Sequence, residues 1–199
     1  MGFLPRLALL VQTLYPALAL ATDAAAPPSL PRITSVQYSG NGCPDDASRK
    51  GDFNDPTFRF DSFAASFPGA GRTVNCEVHV QAAGATAGWQ VALSQVNVDG
   101  RLVLDPGVGL VYFTQAYFSD DAADTATARG SINNDGSSRI NRAITINQGI
   151  GDKVWSDCIG DDGSPGILNV NFRTVLNGDS GRGSFEVFTE NWDFVWRKC

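Results

Sequence analysis

Val74, Cys76, Val78 and Val80 alternate with Asn75, Glu77, His79 and Gln81, and this two-residue period is the clearest pattern in the chain. It predicts a strand with one face in a core and the other toward solvent. Residues 33–38 alternate more loosely and stop at Gly40-Asn41-Gly42, which reads as a strand followed by a turn. Phe58 and Phe60 share a phase of the same kind. Trp89, Val91 and Leu93 keep one phase whereas Val96 and Val98 take the other, so a bulge or bend is expected at Ser94-Gln95. Asp99-Gly100 then reads as a hairpin turn into residues 101–104. Residues 108–118 are rich in Val, Tyr and Phe and predict another strand, and 119–127 an exposed loop. Further β-like runs lie at 140–147, 167–176, 184–189 and 192–198, between Gly, Asp and Ser clusters. No segment has the period of a long amphipathic helix. Roughly ten short strands at this spacing predict an all-β domain, an antiparallel β-sandwich of jelly-roll-like form, with a β-barrel as the alternative.

Composition supports the same reading. Of the 21 acidic residues 18 are Asp, and there are 21 Gly, 10 Pro and three Lys, a balance that favours turns over helices. The formal net charge of -6 argues against nucleic acid as a partner, because phosphates need a basic face. The N-terminus begins with one positive charge at Arg6, continues as a short apolar stretch broken by Pro16, and closes on Ala19-Leu20-Ala21. It reads as a signal peptide over 1–21, with Ala26 as the second choice of cleavage point. Residues 22–31 form a Pro- and Ala-rich leader, and 32–199 a single domain with no later run long enough to cross a membrane. Secretion would place Cys43, Cys76, Cys158 and Cys199 in an oxidising compartment, where an even count implies two disulfides. Sequential pairing, Cys43 with Cys76 and Cys158 with Cys199, is preferred because it closes the short loops, about 34 and 42 residues.

Candidate chemistry is sparse. His79 is the only histidine, lies on the polar side of its strand, and has no GxSxG elbow to serve, so it reads as an ordinary strand residue. Glycoside hydrolysis needs two carboxylates, for which Glu77, Glu186 and Glu190 are the candidates if the fold brings them into one cleft. Asp120, Asp121 and Asp124, or Asp157, Asp161 and Asp162, offer oxygen for calcium but lack the spacing of a calcium loop, so solvated turns are preferred and no metal or other cofactor is expected. Trp192, Phe194 and Trp196 alternate on one strand and read either as core or as a platform on which sugar rings stack.

Several segments occur together in one frame: ITSVQYSGNGCP at 33–44, FDSFAA at 60–65, Asn75-Cys76, DGRLVLDPGV at 99–108, WSDC at 155–158, ILNVNF at 167–172 and WRKC at 196–199. In this order they resemble the domain of unknown function family 4360, secreted proteins of fungi and some bacteria. The resemblance implies a disulfide-bonded, β-rich extracellular protein, and it supplies no catalytic residue. Charged residues at 45–56 and the Asp-rich 119–124 segment depart from the family pattern. The expectation is a monomeric, non-catalytic β-sandwich that binds a cell-wall, matrix or host-derived ligand, with no nucleic acid or membrane partner. An extracellular polysaccharide hydrolase and an inert wall or matrix component are the alternatives.

Overall fold

The 74–80 alternation forms the middle of a long strand, Thr73–Ala83, whose Val74, Cys76, Val78 and Val80 are buried while the residues between them face outward. This structure is a computed structural model and describes residues 26–43 and 49–199. The expected signal peptide, the first part of the leader and residues 44–48 lie outside the described residues.

The described strands are β1 (Arg32–Ser39), β2 (Arg49–Lys50), β3 (Thr57–Arg59), β4 (Ala64–Phe67), β5 (Thr73–Ala83), β6 (Trp89–Leu104), β7 (Val108–Phe118), β8 (Ala126–Asn133), β9 (Ile140–Gly149), β10 (Ile167–Gly178) and β11 (Gly183–Lys198). They make two antiparallel sheets. One has the order β1-β5-β10-β7-β8; the other has the order β2-β3-β11-β6-β9, with β4 also paired to β11. The inner faces meet in one core built from Val78, Val98, Leu102, Leu104, Leu110, Val170, Leu176 and Phe185, none of which reaches solvent. Each such side chain contributes roughly 1.5–3 kcal/mol on burial. The architecture is therefore an antiparallel β-sandwich with two disulfides, Cys43–Cys76 and Cys158–Cys199. The first ties the turn after β1 to the core side of β5, and the second fastens the last residue to the loop before β10.

The phase change in the 89–98 run corresponds to a bulge. Asp193 pairs with Gln95 and Phe194 with Leu93, which leaves Ser94 as the extra residue. Its hydroxyl donates to the Asp193 carbonyl at 2.9 Å.

Three expectations are corrected. Asp99-Gly100 is no turn: β6 runs straight through it, paired to β11 on one side and β9 on the other. The inward phase Val96, Val98, Gly100, Leu102, Leu104 never breaks, and Gly100 is its small member because a Cβ there would collide with the Glu186 carbonyl and press on the Phe185 ring. The turn that ends β6 lies at Asp105-Pro106-Gly107, where Gly107 takes a positive φ and the chain crosses to the other sheet. Second, the 184–189 and 192–198 runs are one strand, kept continuous by a bulge at Phe188. Third, the described end of the leader is docked. Pro27 and Pro31 are buried, and Ser29 bonds to Thr86 and to the Gly84 carbonyl. Strand β8 was not expected from the pattern, since its inward set is Ala126, Ala128, Gly130 and Ile132, too small to register as a hydrophobic alternation.

Candidate functional site

The sequence-predicted aromatic row lies in the interior. Trp192 is fully buried and Trp196 is 5% exposed, and Phe194 stacks on Phe53 with ring centroids 4.8 Å apart. Trp192 also packs against Phe58 at 4.5 Å. With Trp192 and Trp196 buried and Phe194 half-buried against Phe53, the three rings form no open row for a sugar, and the platform reading of Trp192, Phe194 and Trp196 gives way to core.

The three glutamates do not converge. Glu77 is on the outer face of the five-stranded sheet and Glu186 on the outer face of the other, where it lines a cavity with Asp61 and Phe188. Glu190 points into the core, 1% exposed, and accepts a hydrogen bond from Trp192 Nε1. Burial pushes its carboxyl up to about 7, against the smaller opposing effect of that bond. A two-carboxylate cleft made from these residues is therefore excluded. Among the described residues no three His, Cys, Asp or Glu side chains are placed to hold a metal ion, the two Asp groups included.

What the fold does assemble is a polar band on the outer face of the five-stranded sheet. Antiparallel register puts Gln37, His79, Asn169 and Tyr117 in one row across β1, β5, β10 and β7. The adjacent row is Ser39, Glu77, Asn171 and Gln115. Six of these eight side chains, all but Gln37 and Gln115, are hydrogen-bonded within the band. Tyr117 OH donates to Glu77 Oε1 at 2.6 Å, and Asn171 Nδ2 donates to Glu77 Oε2 at 3.2 Å. The bond to Glu77 pushes the Tyr117 phenol up to about 12, so it remains a donor. His79 Nδ1 lies 2.6 Å from Asn169 Oδ1 and 3.8 Å from Glu77, and its Nε2 lies 2.9 Å from Ser39 Oγ.

Asn169 fixes the proton positions. Its Nδ2 donates to the Ile167 carbonyl at 3.3 Å and the Tyr117 carbonyl at 3.4 Å, acceptors that cannot donate, and this turns Oδ1 toward His79. Nδ1 of His79 is therefore the donor to Asn169, and Nε2 faces the Ser39 hydroxyl, which can serve as either donor or acceptor. The band is partly withdrawn from water: Asn169 is 3% exposed, and the Glu77 and His79 side chains 17% and 28%. One acceptor, Asn171 Oδ1, is buried without a hydrogen-bond partner among the described residues. Beside the band is a cavity of about 190 Å³ lined by Ser35, Gln37, His79, Gln81 and Asn169 among others.

Sequence reasoning placed His79 and Glu77 on this face but missed that Asn169, Asn171, Tyr117 and Ser39 join them. The signal was available in part: Asn169 and Asn171 alternate with Leu168, Val170 and Phe172, a strand whose outward residues are amides able both to donate and to accept.

Fold and site together define an antiparallel β-sandwich with a bonded polar face. The chain belongs to the domain of unknown function family DUF4360, whose family model matches residues 30–199. No curated protein matches it. Among solved structures, it is similar to TmCBM61 in complex with β-1,4-galactotriose at 12% identity, over 84% of this chain and 91% of that one, with a TM-score of 0.28. A second similarity, to the enzymatically active domain of bacteriophage CBA120 tailspike protein 4, has 10% identity and a TM-score of 0.24, over 83% of this chain and 20% of that one. At these TM-scores neither likeness carries weight for the site.

Proposed function

We propose that the protein acts outside the cell as a non-catalytic binding module, and that the outer face of its five-stranded sheet takes a polyhydroxylated ligand, a glycan of cell wall, matrix or host. The observation that carries this reading is the bonded band itself. Six polar side chains from four strands are pre-oriented by one another and partly desolvated, and the buried Asn171 Oδ1 is left without a hydrogen-bond partner among the described residues. A surface needed only for solubility has no reason to withdraw polar groups from water and leave one unsatisfied. Sugar hydroxyls, each donor and acceptor, suit a mixed set of amide, carboxylate, imidazole and hydroxyl groups. Two disulfides fit an oxidising compartment, and no described helix is long and apolar enough to cross a membrane.

Binding of the mature protein to a glycan array and to insoluble wall polysaccharides tests the proposal. Retention by at least one glycan, reduced about tenfold or more in Asn171→Ala and Glu77→Gln, is expected. Failure to bind any, or binding unchanged in both variants, would remove it.

A second reading rests on the connectivity from Ser39 to His79 to Asn169, which is that of a nucleophile, a base and an orienting group. Under it the face cleaves esters. A fluorophosphonate probe would then label Ser39 in the native protein and not in His79→Ala, and an unlabelled protein leaves binding alone.

A further inference from the structure

One row beyond the polar band, the same outer face changes character. Antiparallel register sets Arg173 of β10 opposite Phe113 of β7, and Phe113 opposite Arg129 of β8. The Arg129 guanidinium stands 5.3 Å from the centre of the Phe113 ring. Both arginines are exposed, and among the described residues neither is within ion-pair distance of a carboxylate. The remaining member of the row is Asn75, so the row contains no acid. Glu77, the nearest carboxylate by register, is already engaged by Tyr117 and Asn171. A cavity of about 430 Å³ adjoins this row, lined by Phe113, Gln115, Thr127, Arg173 and Val175.

Two guanidinium groups without an ion-pair partner among the described residues, flanking a half-buried aromatic ring, are unusual in a chain with 15 basic and 21 acidic residues. Arginine forks match a carboxylate in plane and charge, and an aromatic ring gives the apolar face of a sugar a surface to rest on. Rows on one face of a sheet are two residues apart, so His79 and Arg173, four residue pairs apart along the β5–β10 register, are separated by roughly 13 Å along the strands. That distance suits an oligosaccharide rather than a single sugar. We infer that the ligand is an oligosaccharide bearing carboxylates, its hydroxyls on the Glu77–His79–Asn171 band and an acid group on Arg173 and Arg129. The inference rests on the glycan reading above and names the class of glycan.

Calorimetric titration with a short oligogalacturonate, its methyl ester and a sulfated oligosaccharide of similar length tests it. The acid is expected to bind at least tenfold more tightly than its methyl ester. Arg173→Gln and Arg129→Gln should each remove about tenfold of that preference. Arg101→Gln, on the opposite sheet, should leave it unchanged. Both row variants should keep the native melting temperature, since their side chains are exposed. Equal affinity for the acid and its ester would overturn the inference while leaving the glycan reading standing, and so would a sulfated chain that binds as well as the uronate. No binding of any of these probes would overturn the inference, and the glycan array then decides the wider reading separately.

Discussion

Glu77 and Glu190 each accept a hydrogen bond from an aromatic side chain, Tyr117 in one case and Trp192 in the other, yet they sit in opposite kinds of environment. Around Glu77, on the outer face of the five-stranded sheet, a second donor from Asn171 and partial contact with water satisfy the carboxylate. Around Glu190, between the sheets, Trp192 is its hydrogen-bond partner and solvent is excluded, so the carboxyl is pushed up to about 7. The same residue type is a doubly bonded, partly solvated carboxylate in one region and a buried acid with a raised pKa in the other, and the number of donors and the access of water decide which.

The comparison breaks first if the interior aromatics are not structural. Trp192→Ala is expected to cost on the order of 3–5 kcal/mol, because it empties the centre of the core and also takes away the donor to Glu190. Phe113→Ala, on the outer face, should cost less than about 1 kcal/mol. Urea denaturation of the two variants checks this. Similar losses in both would show that the outer face is holding the fold together and is not a free surface.

Next in size is a pH effect that belongs to the interior alone. The Glu190 carboxyl ionises at about 7 in the folded chain and near 4.5 when exposed, so the folded state holds the extra proton. Its contribution is complete below about pH 4.5, declines as the pH rises to about 7, and is absent above that. The full swing is on the order of 3 kcal/mol. Melting curves of wild type and Glu190→Gln between pH 4 and 8 test it, since the difference between the two should fall steadily with pH in favour of the variant. A difference that stays flat would mean that Glu190 is not a buried acid.

Much of the strand framework was legible in the sequence, whereas the burial of Glu190, read there with Glu77 and Glu186 as a solvated acid, was not, and the parts that were missed have a common cause. Alternation at Val74–Val80 and the phase change near Ser94 are local properties, and both survive in β5 and at the β6 bulge. Asp99-Gly100 misled because a turn dipeptide is also a local property, whereas Gly100 is fixed by a distant neighbour, the β11 backbone at Glu186. The polar band is non-local throughout: Ser39, Glu77, Tyr117 and Asn171 come from β1, β5, β7 and β10, and only the strand order places them side by side. Likewise, alternation put Trp192 and Trp196 on one face of a strand but could not say whether a second sheet covers that face. The segment from Phe53 to Phe58, which stacks on them, lies far away in sequence.

The smallest effect sharpens the comparison most narrowly. Glu186 shares with Glu77 an outward position on a strand, but on the other sheet, and no hydrogen bond fixes its side chain among the described residues. Glu77→Gln exchanges a charged acceptor for an amide that must now take two donors with one oxygen, so about 1 kcal/mol of stability and a larger part of ligand affinity should be lost. Glu186→Gln removes a solvated charge and should change stability by less than about 0.5 kcal/mol and glycan retention not at all. If Glu186→Gln weakens retention as much as Glu77→Gln does, the ligand lies on the six-stranded sheet beside Phe188 and Asp61, and the bonded band on the opposite face is structural.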